Sequence, residues 1–118
     1  MKRRYRFQCK PPRRDMARII MKWGGGLISD KSSVCTPNHQ HIRNLAQCVK
    51  HLEKLGHDII IVHGAGSFGH IRSRQYRLDE GNIEGIEQTE GIAQVRADML
   101  HLHDLVVESL QPLNVISH

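Results

Sequence analysis

Two glycine-rich segments with neighbouring basic residues are the part of this sequence best suited to chemistry. The first, KWGGG, begins at Lys22, and the second, HGAGSFGH, runs from His63 to His70. Glycine has no Cβ, so the backbone N–H groups of such a loop can approach an anion closely. With Lys31 beyond the first segment, the two segments predict a cradle for phosphate groups.

A dinucleotide site and a P-loop fit these glycines less well. The second segment matches G-x-G-x-x-G from Gly64 to Gly69, but a dinucleotide site also needs a strand that ends in Asp or Glu about 20 residues later. The acidic residues between positions 79 and 87 do not follow an apolar strand, and no Gly-Lys-Ser/Thr of a P-loop is present. Tight turns without a ligand remain an alternative, which accounts for one such segment more easily than for two.

The sequence around these segments predicts a βαβ unit. Residues 17–23 and 58–63 are short, apolar and β-branched, which is typical of buried strands. Between them, Thr36 as N-cap and Pro37 as first helical residue predict a helix that ends near Gly56. The order strand, helix, strand predicts parallel strands, and the apolar run of the second strand favours a sheet covered on both faces.

The remainder of the chain continues this alternation. Residues 71–87 are polar and predict a loop with at most a helical turn, whereas an apolar stripe over 87–110 predicts a long helix. Gly91 weakens the start of that helix, Pro112 stops it, and residues 113–117 begin a third strand. The predicted fold is an α/β three-layer α/β/α sandwich with a mainly parallel sheet, or part of one. Both glycine loops should then open at the same sheet edge.

The positive charge is concentrated at the N-terminus. The net charge is +5, yet seven of the 17 Lys and Arg residues lie in the first 14 positions. We predict a basic, disordered extension over residues 1–16 and one domain over residues 17–118. Such a tail is more often solvated than a nucleic-acid arm, although a transit peptide or a start at Met16 stays open. No apolar run suits a membrane span or a secretory signal.

The cysteines and histidines do not predict a metal site. The three cysteines form no CxxC pair: Cys9, Cys35 and Cys48. This pattern is typical of reduced thiols in a cytoplasmic protein. Two pairs of histidines are two positions apart: His39 with His41, and His101 with His103. That spacing suits neither one helix face nor zinc ligation, so we interpret them as polar residues on exposed helix faces.

Together, the two segments resemble the amino acid kinase superfamily, and more narrowly its isopentenyl phosphate kinases. IIMKWGGGLISDKS is similar to the first family motif through these residues: Lys22, Gly24, Gly25, Gly26, Ile28, Ser29 and Lys31. The second motif ends in Ser-Phe-Gly-His, which matches residues 67–70. The resemblance covers about residues 17–117. At Gly26 the family usually has Ser, and Trp23 is bulky for the end of a strand.

The resemblance implies a role for each motif residue. The implied catalytic residues are Lys22, which would contact the transferred phosphoryl group, and Lys31 and His70, which would offset negative charge. The implied ATP-phosphate-binding residues are Gly24, Gly25 and Gly26. The implied substrate-binding residues are Gly64, Ala65, Gly66, Ser67, Gly69 and His70. In this scheme Gly64 and Ala65 donate backbone N–H groups, and His70 bonds to the phosphate that the substrate already carries.

The implied reaction transfers the γ-phosphate of ATP, with Mg²⁺, to isopentenyl phosphate. Joining two anions depends on positioning and on charge stabilisation, so no protein nucleophile is required. The implied partner is a small-molecule phosphate substrate, with a homodimer suggested and no nucleic acid or membrane expected. Because family members are longer, the chain is similar to an N-terminal, acceptor-binding lobe. The alternatives are a phosphonate kinase acting on fosfomycin, and a non-catalytic fragment that binds phosphorylated ligands.

Overall fold

The computed structural model describes residues 3–7 and 16–117. Its strands and helices in chain order are β1 (Arg3–Phe7), β2 (Arg18–Trp23), α1 (Gly25–Ile28), α2 (His39–Lys54), β3 (Asp58–His63), α3 (His70–Gln75), α4 (Thr89–Ser109) and β4 (Val115–Ser117). Two short 3₁₀ helices cover Gly66–Phe68 and Leu78–Glu80. The rest of the predicted N-terminal extension, residues 1–2 and 8–15, lies outside the described residues.

The four strands form one mixed sheet in the order β2-β3-β1-β4. β2 and β3 are parallel, with Lys22 opposite Val62, which confirms the predicted βαβ unit and the α/β class. β1 is antiparallel to both β3 and β4, and the sequence did not predict it. In RRYRF, arginines outnumber the alternating aromatic residues, and this composition is typical of a solvated tail rather than of a strand.

Helix α2 begins later than predicted. Its N-cap is Asn38, whose side-chain oxygen accepts a hydrogen bond from the His41 N–H at 3.1 Å. The prediction of Thr36 as N-cap is wrong, because its hydroxyl donates to the Val34 carbonyl and Pro37 forms an isolated β-bridge with Ser29. The end is close to the prediction: the helix ends at Lys54, and its C-cap is Leu55 rather than the predicted Gly56, which follows.

The segment between β3 and α4 has more regular structure than predicted. It contains α3 and two 3₁₀ helices, and the buried side chain of Gln88 holds the loop between α3 and α4. The Gln88 Nε2 lies 3.1 Å from each of three carbonyl oxygens, those of Tyr76, Arg77 and Gly81. Its Oε1 accepts from the Ile83 N–H at 3.1 Å. The glutamine therefore satisfies backbone groups that a polar loop would otherwise leave to water.

The hydrophobic core lies between one face of the sheet and the two long helices. Its members are Trp23, Ile59 and Ile61 from the strands, Ile28 from α1, Ile42, Ala46 and Val49 from α2, and Val95, Met99, Leu102 and Val106 from α4, with Ala65, Phe68 and Leu110 from the connections. Because α2 and α4 share this one cluster, the described residues supply two of the three predicted layers. β3 is buried as predicted.

The opposite face of the sheet is more exposed. Register places Ile20, Ile60 and Ile116 in one row, joined through position 6 of β1. Ile20 is 71% exposed and Ile116 is 44% exposed. The prediction that β2 is buried is therefore wrong: β2 is an edge strand, and the exposure of its residues alternates along the chain.

The histidines that were predicted to be exposed differ in burial. His39, His41 and His101 are exposed, as predicted. His103 is buried, because the buried stripe of α4 widens from Leu102 to include it. None of the helices within residues 16–117 has both the length and the apolar content needed to cross a bilayer.

Candidate functional site

The two glycine loops leave the sheet at the same edge. Trp23, the last residue of β2, pairs in register with His63, the last residue of β3. Since the two strands are parallel neighbours, the residues that follow them lie side by side. The Gly64 N–H donates to the Trp23 carbonyl at 3.0 Å. The loops therefore face a common space, as predicted, but the Gly64 N–H is already engaged and does not fit its predicted role as a donor to substrate.

The loops pack against each other through their backbones. A Cβ on Gly25 would lie 2.2 Å from the Gly66 nitrogen, and a Cβ on Gly66 would lie 2.2 Å from the Gly25 carbonyl oxygen. Gly66 also has a φ of +51°, which residues with a side chain rarely adopt. Glycine at these two positions is thus required by close approach of one loop to the other.

Two buried serines tie the loops together. The Ser29 hydroxyl donates to the Gly25 carbonyl and accepts from the Ser67 N–H at 3.0 Å. The Ser67 hydroxyl accepts from the Thr36 N–H at 3.2 Å, and the Ser67 carbonyl accepts from the Cys35 N–H at 3.1 Å. Ser67 is 1% exposed. Its polar groups therefore hold the framework of the loops, which argues against the predicted contact of Ser67 with substrate.

The loops enclose an open cleft of about 470 Å³. Its lining residues are Lys22, Gly24, Gly25, Gly26, Lys31, Gly64, Ala65, Gly66, Ser67, His70, Ile71 and Arg74. The structure thus brings together every predicted site residue except Gly69. Gly69 is buried beside the cleft, its N–H donates to the Gly66 carbonyl at 3.2 Å, and its carbonyl accepts from the Ser73 N–H at 2.9 Å. It is the N-cap residue of α3 and is not among the residues that line the cleft.

Four exposed side chains that can carry positive charge line the cleft, and three of them were predicted from the sequence. Lys22 lies next to the end of β2, Lys31 follows the first glycine loop, and His70 is the first residue of α3. Within residues 16–117, none of the three forms an ion pair. Their charge is therefore available to an anion in the cleft. Which phosphate each of them contacts stays a prediction.

The Lys31 side chain lies directly over Gly26. A Cβ at Gly26 would be 1.9 Å from the Lys31 Cε and 2.8 Å from its Nζ. The absence of a side chain at position 26 leaves the space that the lysine occupies. This departure from the usual serine is therefore coupled to the position of a charge at the cleft.

The sequence of residues 17–114 matches the model of the amino acid kinase family. The chain belongs to the amino acid kinase family. Isopentenyl phosphate kinase of Thermoplasma acidophilum is 32% identical over 92 residues, which cover 78% of this chain and 36% of that protein. Isopentenyl phosphate kinase of Methanocaldococcus jannaschii is 23% identical over 103 residues, which cover 81% of this chain and 40% of that protein.

Solved structures of amino acid kinase family relatives agree with this assignment. The crystal structure of the T. acidophilum isopentenyl phosphate kinase product complex matches with a TM-score of 0.67 and 31% identity, over 80% of this chain and 38% of the other. An isopentenyl phosphate kinase substrate complex matches with a TM-score of 0.65 and 30% identity, over 80% and 37%. The chain spans between 36% and 40% of the length of the curated relatives it matches.

The cleft is also lined by two residues that the sequence analysis did not predict. Ile71 and Arg74 belong to α3, in a segment that the sequence predicts as a loop. The four-residue spacing of His70 and Arg74 was the available signal, because residues at i and i+4 share a helix face. The predicted homodimer, cytoplasmic location and division of the chain at residue 17 stay predictions.

Proposed function

We propose that the cleft binds the phosphate group of a small-molecule acceptor, and that the chain forms the acceptor-binding lobe of a kinase that phosphorylates isopentenyl phosphate. The observation that carries this proposal is the convergence of both glycine loops on one cleft beside Lys22, Lys31 and His70. The likeness to isopentenyl phosphate kinases supports the choice of acceptor.

The proposed reaction requires little covalent chemistry from the protein. An oxygen of the acceptor phosphate forms a bond to the γ-phosphorus of ATP, and the bond from that phosphorus to the oxygen bridging to the β-phosphate breaks. The products are isopentenyl diphosphate and ADP. Because both reactants are anions, catalysis depends on holding them in line and on neutralising their charge. The exposed cations of the cleft are suited to both tasks.

Each side of the cleft supports a different part of this reaction. On the first loop, the open backbone at Gly24 and the Lys31 ammonium are suited to the phosphates of ATP. On the second loop, Ala65, Gly66 and His70 are suited to the acceptor phosphate. Lys22 projects from the strand end between the loops, where it can neutralise charge on the transferred group.

The cleft does not by itself provide a site for Mg²⁺. Its lining residues include no Asp or Glu, and Mg²⁺ in proteins is bound through carboxylates together with substrate phosphates. Within the described residues, no group of three or more His, Cys, Asp or Glu is arranged to hold a metal ion. The Mg²⁺ that the resemblance implies therefore finds no carboxylate ligand in this cleft.

Calorimetric titration tests the binding part of the proposal. We expect isopentenyl phosphate to bind the purified chain and the neutral alcohol isopentenol to bind at least about tenfold more weakly, since a charged hydrogen bond contributes about 1.5–3 kcal/mol. His70→Ala should weaken binding of the phosphate about tenfold, whereas His51→Ala, at an exposed position of α2, should not. Equal binding of the phosphate and the alcohol would overturn the proposal.

Release of ADP from Mg-ATP in the presence of isopentenyl phosphate tests the catalytic part. Turnover by this chain supports a kinase, and tight binding without turnover supports the second candidate, a non-catalytic domain that binds phosphorylated ligands. The partial coverage of the relatives favours keeping that candidate. Phosphorylation of fosfomycin, but not of isopentenyl phosphate, would reassign the acceptor to a phosphonate.

A further inference from the structure

Three arginines follow one another in and after α3, and only one of them faces the cleft. The Arg72 guanidinium pairs with Asp98 and also donates to the Gln94 Oε1 at 3.1 Å. The Arg77 guanidinium pairs with Glu80. Arg74 is exposed, lines the cleft, and forms no ion pair within residues 16–117. Two of the arginines thus stabilise the fold, and the third presents its charge to the cleft.

The geometry of α3 accounts for this division. Successive residues of an α-helix are separated by about 100°, so Arg72 and Arg74 lie about 200° apart around the axis. The Arg72 contacts with Asp98 and Gln94 fix one side of α3 against α4. The opposite side, with Arg74, is thereby held toward the cleft.

Arg74 shares its side of the helix with His70. Residues four apart on a helix have Cβ atoms about 5–6 Å apart, and both residues line the cleft. α3 begins directly after the second glycine loop, so both side chains extend the part of the cleft lining that this loop forms. A guanidinium presents paired N–H donors that match two phosphate oxygens, which an imidazole alone cannot do.

We propose that Arg74 acts with His70 to bind the phosphate group of the acceptor, and that Arg74 makes the site selective for a dianionic phosphate monoester. This inference rests on the proposed function, because it assigns a further residue to the same acceptor site. His70 contributes one hydrogen bond, and Arg74 contributes a permanent positive charge with two parallel donors. A monoanionic phosphodiester carries less negative charge opposite the Arg74 guanidinium, so Arg74 should contribute less to its binding affinity.

The test compares three variants by calorimetry, with isopentenyl phosphate and its methyl ester as the two probes. Arg74→Gln should weaken binding of isopentenyl phosphate about 5- to 30-fold, the range of a partly solvated charged hydrogen bond. It should weaken binding of the monoanionic methyl ester by less than about threefold, so the preference for the dianion falls. Arg74→Lys, which keeps the charge without the fork, should recover part of the loss.

Arg96→Gln is the matched control, because Arg96 is exposed on α4 and does not line the cleft. It removes the same charge from a solvent-exposed position outside the cleft lining and should leave both affinities within about twofold, since solvent and salt screen exposed charges. Equal losses in the two glutamine variants would overturn the proposal by revealing a general charge effect. Wild-type affinity in Arg74→Gln would overturn the role of Arg74 and leave the proposed function intact. Failure of the wild-type chain to bind isopentenyl phosphate would overturn both.

Discussion

The two glycine loops contain similar residues but differ in their surroundings. In the first loop, a Cβ on Gly24 would meet no atom within 4 Å, and the three atoms nearest to a Cβ on Gly26 all belong to the flexible Lys31 side chain. In the second loop, Ala65, Ser67 and Phe68 are at most 2% exposed. The first loop is open at Gly24 and Gly26, whereas the second loop, although it also lines the cleft, is packed into the core.

This difference shows that glycines in a glycine-rich loop can serve two physical purposes. Near the first loop, the lack of side chains gives room for a ligand and for a lysine. In the second, glycine allows one backbone to touch another, as at Gly66 against Gly25. Substitutions in the second loop should therefore change stability, and those at Gly24 and Gly26 should change ligand binding with little effect on stability.

The largest effect is expected at Gly66. An added methyl group at Gly66→Ala would lie 2.0 Å from the Ser29 Oγ and 2.2 Å from the Gly25 carbonyl oxygen, at a φ of +51°. We expect a loss of about 3 kcal/mol or more in the free energy of unfolding, measured by urea denaturation. Gly24→Ala is the control and should change it by less than about 0.5 kcal/mol. Similar losses in both variants would contradict the contrast between the loops.

Removal of the Ser29 hydroxyl should have the next largest effect. Ser29→Ala leaves the buried Ser67 N–H without its acceptor, which costs about 1–3 kcal/mol of unfolding free energy. Ser33→Ala, at an exposed position, should be close to neutral. If the two variants melt at the same temperature, the serine link does not stabilise the packing of the loops.

Cysteine reactivity provides a third comparison. Burial raises the pKa of the Cys35 thiol above its ordinary value, and the neighbouring Asp98 raises this pKa further. A smaller thiolate fraction follows at pH 8, so Cys35 should react severalfold more slowly with iodoacetamide than the exposed Cys48. Peptide mapping by mass spectrometry measures both rates. Faster alkylation at Cys35 would show that the loop bonded to Ser67 is open in solution.

The smallest effect is expected at Gly26. The methyl group of Gly26→Ala would displace the end of the Lys31 side chain, which is flexible and exposed. We expect an unfolding free energy within about 0.5 kcal/mol of the wild type and about two- to threefold weaker binding of inorganic triphosphate in a calorimetric titration. Unchanged binding would mean that the position of Lys31 does not matter to a bound anion.

The local sequence pattern was sufficient to predict the strands and helices whose apolar residues recur regularly. The apolar runs of β2 and β3 and the stripe of α4 are visible in the sequence, and so is the shared edge of the two loops. The N-cap of α2 was not visible in the sequence, because both Thr36 and Asn38 can cap a helix. In the structure, the Thr36 N–H donates to the distant Ser67 hydroxyl and the Thr36 hydroxyl donates to the nearby Val34 carbonyl.

The remaining differences depend on contacts between distant residues. Gly91 weakens the local preference for helix in α4, yet the Tyr76 ring occupies the space where its Cβ would be. The hydrogen bond from the Gly64 N–H to the Trp23 carbonyl also joins residues far apart in the sequence, so the local sequence pattern could not predict it. β1 and α3 are short, and short elements are stabilised by pairing and packing rather than by their own propensity.

The row of isoleucines across the outer side of the sheet has a consequence for handling the protein in solution. Ile20 and Ile116 expose apolar side chains to solvent, and exposed apolar patches promote self-association. Apolar attraction strengthens on warming near room temperature. Association driven by this row should therefore weaken when a concentrated sample is chilled.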